Sequence, residues 1–158
     1  MEIERKFLVH YLPERLSDHE NKQLIQGYLS VDPVVRVRKE GRDFFLTYKG
    51  KGLLSREEYN LPLTEESFFH LIEKADGIVI EKTRYYLPLS GENRGLTVEL
   101  DVFSKELSGL VIAEVEFPSE DAAKAFVPPE WFGEEKTYDR SYHNSTLSRE
   151  GLPASSGS

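Results

Sequence analysis

Charged and apolar residues alternate along several stretches of the chain, beginning with MEIERKFLV at residues 1–9. Glu2, Glu4 and Lys6 occupy every second position in this stretch. Because side chains at i, i+2 and i+4 of a β-strand share a face, the pattern predicts a strand with two acids and a base on one side. Similar runs recur along the chain, and they predict about eight strands in all.

A few helical segments are predicted between these strands. Thr64 and Ser119 are predicted N-caps of helices over residues 65–76 and 120–126, and Gly77 is predicted to end the first helix. Short strands joined by glycine turns, with few helices, are typical of a mainly β (α+β) fold built on an antiparallel sheet or a closed barrel.

Length and composition narrow the class of protein. The chain of 158 residues has the size of one domain, predicted to span residues 1–149, and a polar tail over residues 150–158 is expected to be flexible. The absence of cysteine excludes disulfides, a thiolate nucleophile and a cysteine metal site. No apolar run reaches the roughly 20 residues of a membrane span. The pattern therefore predicts a cytoplasmic protein without membrane contacts.

The charge balance bears on possible partners. The chain has 20 Lys and Arg residues against 28 Asp and Glu residues, a formal net charge of −8. A field of that sign opposes nucleic-acid binding, in which neutralisation of phosphates dominates the affinity. It also repels small polyanions unless the basic residues are gathered in one shielded place.

Five pairs of like charge stand at alternate positions of the predicted strands, with mostly apolar residues on the opposite face. They are Glu2 and Glu4, Arg36 and Arg38, Lys82 and Arg84, Glu99 and Asp101, and Glu114 and Glu116. A solvated sheet face normally mixes both signs, and like charges at i and i+2 repel each other. If these faces point inward, the interior becomes a charged chamber in which acids bind a cation and bases bind an anion.

The side-chain types indicate which ions these are. Carboxylates without imidazole or thiolate partners favour Mg²⁺ or Mn²⁺ over Zn²⁺. Arginine forks match phosphate oxygens, and lysine adds point charge. Because carboxylate-bound metal beside Arg and Lys is typical of phosphoryl transfer, the pattern indicates that chemistry. The sequence has no Walker A loop, so side chains must build the site.

The ordered motifs resemble those of the CYTH superfamily, the triphosphate tunnel metalloenzymes. They are E-x-E-x-K at 2–6, R-x-R at 36–38, T-x-K-G at 47–50, K-x-R at 82–84, E-x-D at 99–101, E-x-E at 114–116 and T-x-D-x-x-Y-x-N at 137–144. The resemblance covers nearly all of residues 1–149. One such motif would be a weak signal, whereas the ordered set is highly specific.

The resemblance implies an eight-stranded antiparallel β-barrel that forms a tunnel, with helices packed outside. It also implies binding of a triphosphate with Mg²⁺ or Mn²⁺. The implied metal ligands are Glu2, Glu4, Asp101, Glu114 and Glu116, with Glu58 close by. The implied substrate-binding residues are Lys6, Arg36, Arg38, Lys49, Arg56, Lys82 and Arg84. Lys6 and Tyr28 are the implied catalytic pair, which could assist proton removal.

The chain departs from the family pattern at one strand. The family's R-x-E-x-E motif appears here as Arg56, Glu58 and Asn60, so the last acid is missing. The strand reads SREEYN, and a slip of one residue would turn Glu57 inward instead of Glu58.

The reaction predicted from these features is hydrolysis of inorganic tripolyphosphate to diphosphate and phosphate. Phe44, Tyr48 and Tyr59 fall on the face opposite the charges and are expected to pack under helices, which leaves little to recognise a nucleobase. The alternatives are a nucleoside or thiamine triphosphatase, an adenylyl cyclase, and a module that binds polyphosphate without cleaving it.

Overall fold

A computed structural model of the chain describes residues 3–50 and 57–153. Its strands are β1 Glu4–Val9, β2 Asn21–Val31, β3 Val34–Glu40, β4 Asp43–Lys49, β5 Glu58–Pro62, β6 Asp76–Pro88, β7 Thr97–Phe103, β8 Val111–Glu116 and β9 Phe132–Glu135. Its α-helices are α1 Glu65–Ile72, α2 Glu120–Ala125 and α3 Asn144–Glu150. Short 3-10 helices lie at Leu16–Asp18, Gly91–Asn93, Lys105–Leu107 and Arg140–Tyr142.

The strands form one antiparallel sheet in the order β5-β4-β3-β2-β6-β7-β8-β1-β9. The predicted mainly β, antiparallel fold is therefore confirmed. The described residues contain one strand more than the eight expected, because the four-residue β9 pairs with β1. In residues 3–50 and 57–153 no ladder joins the edge strands β5 and β9, so hydrogen bonds do not close the sheet into a barrel.

Two of the helices begin where the sequence predicts. Thr64 caps α1 in a capping box, in which its side chain accepts a hydrogen bond from the Ser67 amide at 3.1 Å. The Ser119 hydroxyl accepts from the amide of Ala122 at 3.0 Å and caps α2. The predicted end of α1 is wrong: the helix stops at Ile72, and Gly77 lies inside β6 with φ 69°.

The outer face of the sheet carries the larger apolar core. Buried residues of β1, β6, β7 and β8 pack there against α2 and the segment around β9. They are Phe7, Leu87, Val98, Leu100, Ala113, Val115, Phe117, Ala123, Phe126 and Phe132. This packing leaves the opposite face of the same strands, which carries the charged pairs, turned toward the inside of the curved sheet.

The inner face changes character along the strands. At one end it is apolar, with Ile80 of β6, Phe103 of β7 and Ile112 of β8 packed against Leu147 of α3. The next inner position of each of these strands is charged: Lys82 follows Ile80, Glu114 follows Ile112, and Asp101 precedes Phe103 because β7 runs in the opposite direction. The apolar cluster therefore fills one end of the inner face, and the charged positions surround the space that remains.

The three aromatic residues assigned to the outer face have different environments. The Phe44 ring packs on Phe68 of α1, with 5.3 Å between centroids, as expected. The rings of Tyr48 and Tyr59 lie 6.1 Å apart and pack on each other, and Tyr59 is 57% exposed. The expectation that they lie under a helix is thus confirmed only for Phe44.

In the described part of the chain, no helix is long and apolar enough to cross a membrane.

Candidate active site

The curved sheet surrounds a polar cavity of about 760 Å³. Side chains from β1 to β8 and from the segment that leads into α3 contribute to its wall. The charged and polar lining residues are Glu4, Lys6, Tyr28, Arg36, Arg38, Lys49, Glu58, Arg84, Thr97, Glu99, Glu114, Glu116, Thr137, His143, Asn144 and Ser145. Most of the residues predicted from sequence as a substrate or metal site are therefore brought together at one place.

Carboxylates form one wall of the cavity, on β1, β7 and β8. Glu4 pairs with Glu116 across the β1–β8 ladder, and Glu99 pairs with Glu114 across β7–β8. Directly opposed residues of antiparallel strands share a face, so these acids are close neighbours. Burial raises the pKa of Glu99, with further increases from Glu114, Asp101 and Glu116, although Arg84 lowers it. A cation at this wall would relieve that repulsion.

The acidic wall is not a complete metal cage. Among residues 3–50 and 57–153, no three carboxylate or imidazole side chains are grouped so that they could hold a metal ion by themselves. Mg²⁺ is commonly bound by only one or two carboxylates, with water and substrate phosphates as its other ligands. The carboxylate oxygens present therefore fit a hard divalent cation that arrives with an anionic substrate.

Arginine and lysine side chains form the other wall, on β3 and β4. Arg36 and Arg38 line the cavity, and Lys49 pairs with Glu58 across the β4–β5 ladder. Burial lowers the pKa of Arg38 to about 10, and the positive charges of Arg36 and Arg84 contribute to this decrease. Within the described residues Arg38 forms no ion pair, and its Nε donates to Gln26 Oε1 at 2.9 Å. The wall therefore concentrates positive charge that its own carboxylates do not neutralise.

Two buried side-chain donors of the described residues, Gln26 Nε2 on β2 and Arg36 Nε on β3, lack a hydrogen-bond partner. Buried Lys82 Nζ on β6 has the Asp101 carboxylate 2.8 Å away as its partner. The strands β2 and β3 are neighbours in the sheet. Because an unpaired buried donor costs about 1–3 kcal/mol, the two donors indicate a ligand rich in acceptor oxygens.

Asp101 lies deeper than Glu4, Glu114 and Glu116 and is not among the residues that line the cavity. Its Oδ1 accepts from Arg84 Nε at 2.8 Å and its Oδ2 from Arg84 Nη2 at 2.9 Å. The Lys82 ammonium is 2.8 Å from Oδ2 and forms a buried ion pair with it. Both oxygens therefore already have cationic partners. Metal binding by Asp101 remains a prediction, and this geometry does not favour it.

The ionisation of this cluster follows from its burial and its charges. Burial lowers the pKa of Lys82 to about 8, and Asp101 opposes that decrease. Burial would raise the pKa of Asp101, but Lys82 and Arg84 hold it at about 2. Burial likewise opposes the charge of Arg84, yet hydrogen bonds and charge from Asp101 raise its pKa. Asp101 is therefore the internal counter-ion of two bases, and Lys82, a predicted phosphate ligand, lies behind the cavity wall.

Replacing Asp101 with asparagine should lower the free energy of unfolding by about 3–5 kcal/mol, because Lys82 would remain buried without its counter-ion. Urea denaturation at neutral pH measures this loss. Adding Lys82→Met should restore part of the stability. Glu135→Gln, in the more exposed ion pair with Arg5, is the matched control and should cost distinctly less. Equal losses in the two single variants would contradict the role of Asp101.

Lys6 and Tyr28, the predicted catalytic pair, both line the cavity. The Lys6 ammonium donates to the Tyr142 carbonyl at 3.1 Å and lies 3.6 Å from Glu114 Oε1. Tyr28 is 5% exposed and packs in the apolar cluster with Ile80. The structure thus places Lys6 beside the acidic wall and Tyr28 at the apolar end, so their catalytic roles remain predictions.

Two predicted site residues lie outside the described part of the chain, and the structure decides between Glu57 and Glu58 as the inward-facing acid. Glu2 and Arg56 lie outside the described residues. Glu58, and not Glu57, lines the cavity and is paired in register with Lys49. Asn60, at the position of the missing acid, accepts a hydrogen bond at Oδ1 from the Thr47 hydroxyl at 2.6 Å. The strand therefore has the register in which Glu58 and Asn60 share a face.

Sequence reasoning missed several residues at the site. Glu99 was identified in a charged pair but not assigned to the metal site, and it is the member of that pair that lines the cavity. His143 and Ser145 also line it, beside Asn144 of the C-terminal motif. Partial burial lowers the pKa of His143, and the charges of Lys6 and Arg140 lower it further. Gln26 was also missed. Its signal in the sequence is a polar residue in a mostly apolar stretch, two positions before Tyr28.

The fold and site together define a class: an antiparallel sheet curved around a cavity with an acidic and a basic wall. The CYTH domain model matches residues 1–148, so the chain belongs to the CYTH family. An inorganic triphosphatase from Nitrosomonas europaea is 46% identical over 149 residues, covering 92% of this chain and 95% of that protein. One from Acetivibrio thermocellus is 40% identical over 159 residues, covering 92% of each. The crystal structure of an inorganic triphosphatase matches with a TM-score of 0.77 and 42% identity, covering 94% of each chain.

Proposed function

We propose that this protein is a metal-dependent hydrolase of triphosphates whose preferred substrate is inorganic tripolyphosphate. The observation that carries the proposal is the two unpaired, buried donors on β2 and β3, Gln26 Nε2 and Arg36 Nε, beside Arg38, which faces like charges and has no carboxylate partner in the described residues. A polyanion with many oxygen acceptors satisfies both conditions at once. The inorganic triphosphatases similar to this chain support the same substrate class.

The bases of the site are proposed to bind the phosphates. Arg36, Arg38 and Lys49 offer donors from one side of the cavity. Arg84 of β6 also lines the cavity, with its guanidinium held by Asp101 and Glu99. Arginine forks bind two oxygens of one phosphate group and so fix its orientation as well as its position. Lys82, behind the wall, adds positive charge to this side of the site. Arg56 completes the proposed set.

The acids of the site are proposed to hold Mg²⁺ or Mn²⁺. Glu4, Glu114 and Glu116 would be the ligands, with Glu99 beside them. Glu2, two positions before Glu4 in the sequence, completes the proposed set. When bound, the ion supplies neutralisation of phosphate charge and lowers the pKa of coordinated water. Oxygen ligands alone favour these two ions over zinc or copper.

The reaction follows from this arrangement of charges. Water attacks the terminal phosphorus, a new P–O bond forms, and the bridging P–O bond breaks to release phosphate and diphosphate. Arg38 and its neighbours hold the oxygens on which negative charge shifts toward the leaving diphosphate. Lys6, next to Glu114, is the proposed residue for accepting the proton of the attacking water, in its neutral amine form, and Tyr28 is proposed to assist it. Segment 137–145 flanks Lys6, whose amide donates to the Thr137 hydroxyl at 3.0 Å.

The substrate preference is open to a direct test. Phe44, Tyr48 and Tyr59 do not line the cavity, so none of them offers a ring to a nucleobase. Tripolyphosphate can use donors at both ends, whereas a nucleotide leaves one end occupied by ribose. We expect tripolyphosphate to give the highest kcat/KM with Mg²⁺, and ATP and other nucleoside triphosphates to react more slowly with little preference among bases. Phosphate release across a substrate panel measures this.

Other results would contradict the preference in distinguishable ways. A strong preference for one base or for thiamine triphosphate would make the protein a nucleoside or thiamine triphosphatase. Formation of cyclic AMP from ATP would make it a cyclase. Tight binding of tripolyphosphate without phosphate release would leave a binding module and would overturn the hydrolase proposal itself.

A further inference from the structure

A fully buried amide lies beside the basic wall. Gln26 of β2 has no exposed surface, and its Oε1 accepts from Arg38 Nε at 2.9 Å. The two residues are directly opposite each other across the β2–β3 ladder. The other end of the amide, Nε2, is buried without a hydrogen-bond partner among the described residues. An apolar side chain would avoid that unpaired donor, so packing alone does not explain a glutamine here.

The hydrogen bond at Nε restricts how Arg38 can point. Nε and the two terminal nitrogens of a guanidinium lie in one plane. Fixing Nε therefore limits the rotation of that plane, and it leaves both terminal nitrogens available to the cavity that Arg38 lines. A forked contact with phosphate requires this orientation, because two N–H groups must meet two oxygens.

A comparison with Arg84 shows why a neutral acceptor matters. Asp101 holds Arg84 at Nε and Nη2, and a negative charge thereby balances that guanidinium. Gln26 holds Arg38 through an uncharged oxygen. Arg38 is thus oriented while its positive charge remains available to an anion, and its pKa is lowered by burial and by the charges of Arg36 and Arg84, which outweigh the opposing effect of Glu40.

We infer that Gln26 is a positioning residue, which orients Arg38 for the triphosphate without neutralising it. The inference rests on the proposed function, since it assigns to Arg38 a phosphate group as its partner. Gln26 acts through Arg38, so its contribution should exist only when Arg38 is present.

A double-mutant cycle tests this dependence. Gln26→Met removes the acceptor and the unpaired amide and keeps a similar volume. It should lower kcat/KM for tripolyphosphate by about 10- to 100-fold, because a misplaced binding group costs that much. In an Arg38→Ala background the same change should have almost no effect, whereas in an Arg36→Ala background the loss should persist. A loss of equal size in all three backgrounds would overturn the inference.

A second variant separates orientation from charge. Gln26→Glu keeps an acceptor for Arg38 Nε but adds a carboxylate, so it should raise the KM for tripolyphosphate more than it lowers kcat. If this variant binds tripolyphosphate as well as the wild type, the requirement for a neutral acceptor is wrong. Gln23→Met is the control on the same strand, because Gln23 is exposed and bonds to Thr83 away from the cavity.

Folding and function must be measured separately. Thermal denaturation of each variant reports stability, and Gln26→Leu is a second apolar replacement if Gln26→Met does not fold. Calorimetric titration with tripolyphosphate repeats the cycle on Kd, so a wild type that binds but releases no phosphate would contradict the hydrolase proposal and still test Gln26. A change in melting temperature without any coupling to Arg38 would show a packing role only and would overturn the inference.

Discussion

Replacing Glu4 with glutamine should abolish most phosphate release from tripolyphosphate, with a loss of about 100-fold or more at saturating Mg²⁺. Glu4 lines the cavity and is paired in register with Glu116 on the acidic wall. A bound metal ion supplies several kcal/mol of charge stabilisation in the transition state, and a neutral amide is a poor substitute for a carboxylate ligand. Initial-rate measurements over a range of Mg²⁺ concentrations give both the loss and any change in metal affinity.

The fold should survive this substitution. Glu4 is exposed to the cavity and does not lie in the packed core, so replacing its carboxylate with an amide of the same shape leaves the core packing unchanged. Thermal denaturation checks this point. Glu130→Gln is the matched control, since Glu130 is exposed and does not line the cavity. Turnover of Glu4→Gln near that of the wild type would remove Glu4 from the proposed metal ligands.

Replacing Arg38 with alanine should raise the transition-state barrier by about 2–4 kcal/mol, as the loss of a charge-assisted donor in an enclosed site does. That corresponds to roughly a 30- to 900-fold decrease in kcat/KM. Arg38 lines the cavity and lies among like charges, and in the described residues it has only the neutral Gln26 as its hydrogen-bond partner. Steady-state kinetics with tripolyphosphate measure the effect.

Arg42→Ala is the control for Arg38, because Arg42 is exposed in the turn between β3 and β4 and does not line the cavity. Removing a charge there should change kcat/KM very little. Unchanged catalytic efficiency in Arg38→Ala would place this arginine outside the substrate site. The same result would also remove the basis for a positioning role of Gln26.

Strand positions were predictable because charged and apolar residues alternate with the period of a strand. Arg36 and Arg38 illustrate this: Val37 between them is fully buried on the outer face, and both arginines line the cavity. The four residues of β9 were not predictable, since FGEE shows no alternation and pairs with β1 only after the chain has returned past α2. The end of α1 was also mispredicted, because residues 73–75 continue a helical pattern although strand pairing already starts at Asp76.

The sequence predicted that acids and bases form the walls of the site, but it did not predict which individual residues face the cavity. Glu99 and Asp101 have the same charge and, two positions apart, lie on the same face of the strand, so the sequence could not tell them apart. In the structure Glu99 lines the cavity, while Asp101 is 1% exposed and bound by Arg84 and Lys82. The difference is one of depth along the strand, and depth depends on how neighbouring strands are staggered.

The sequence by itself determined which side chains share a face, because alternation in a strand is a local property of the backbone. It thereby determined that acids and bases would lie in separate groups, and it determined the family through the order of those groups. Only the tertiary structure decided which charges pair with each other and which remain available to a ligand. Asp101 neutralises Arg84 and Gln26 accepts from Arg38 through side-chain contacts between paired strands, β6 with β7 and β2 with β3, and the register of the folded sheet sets those contacts.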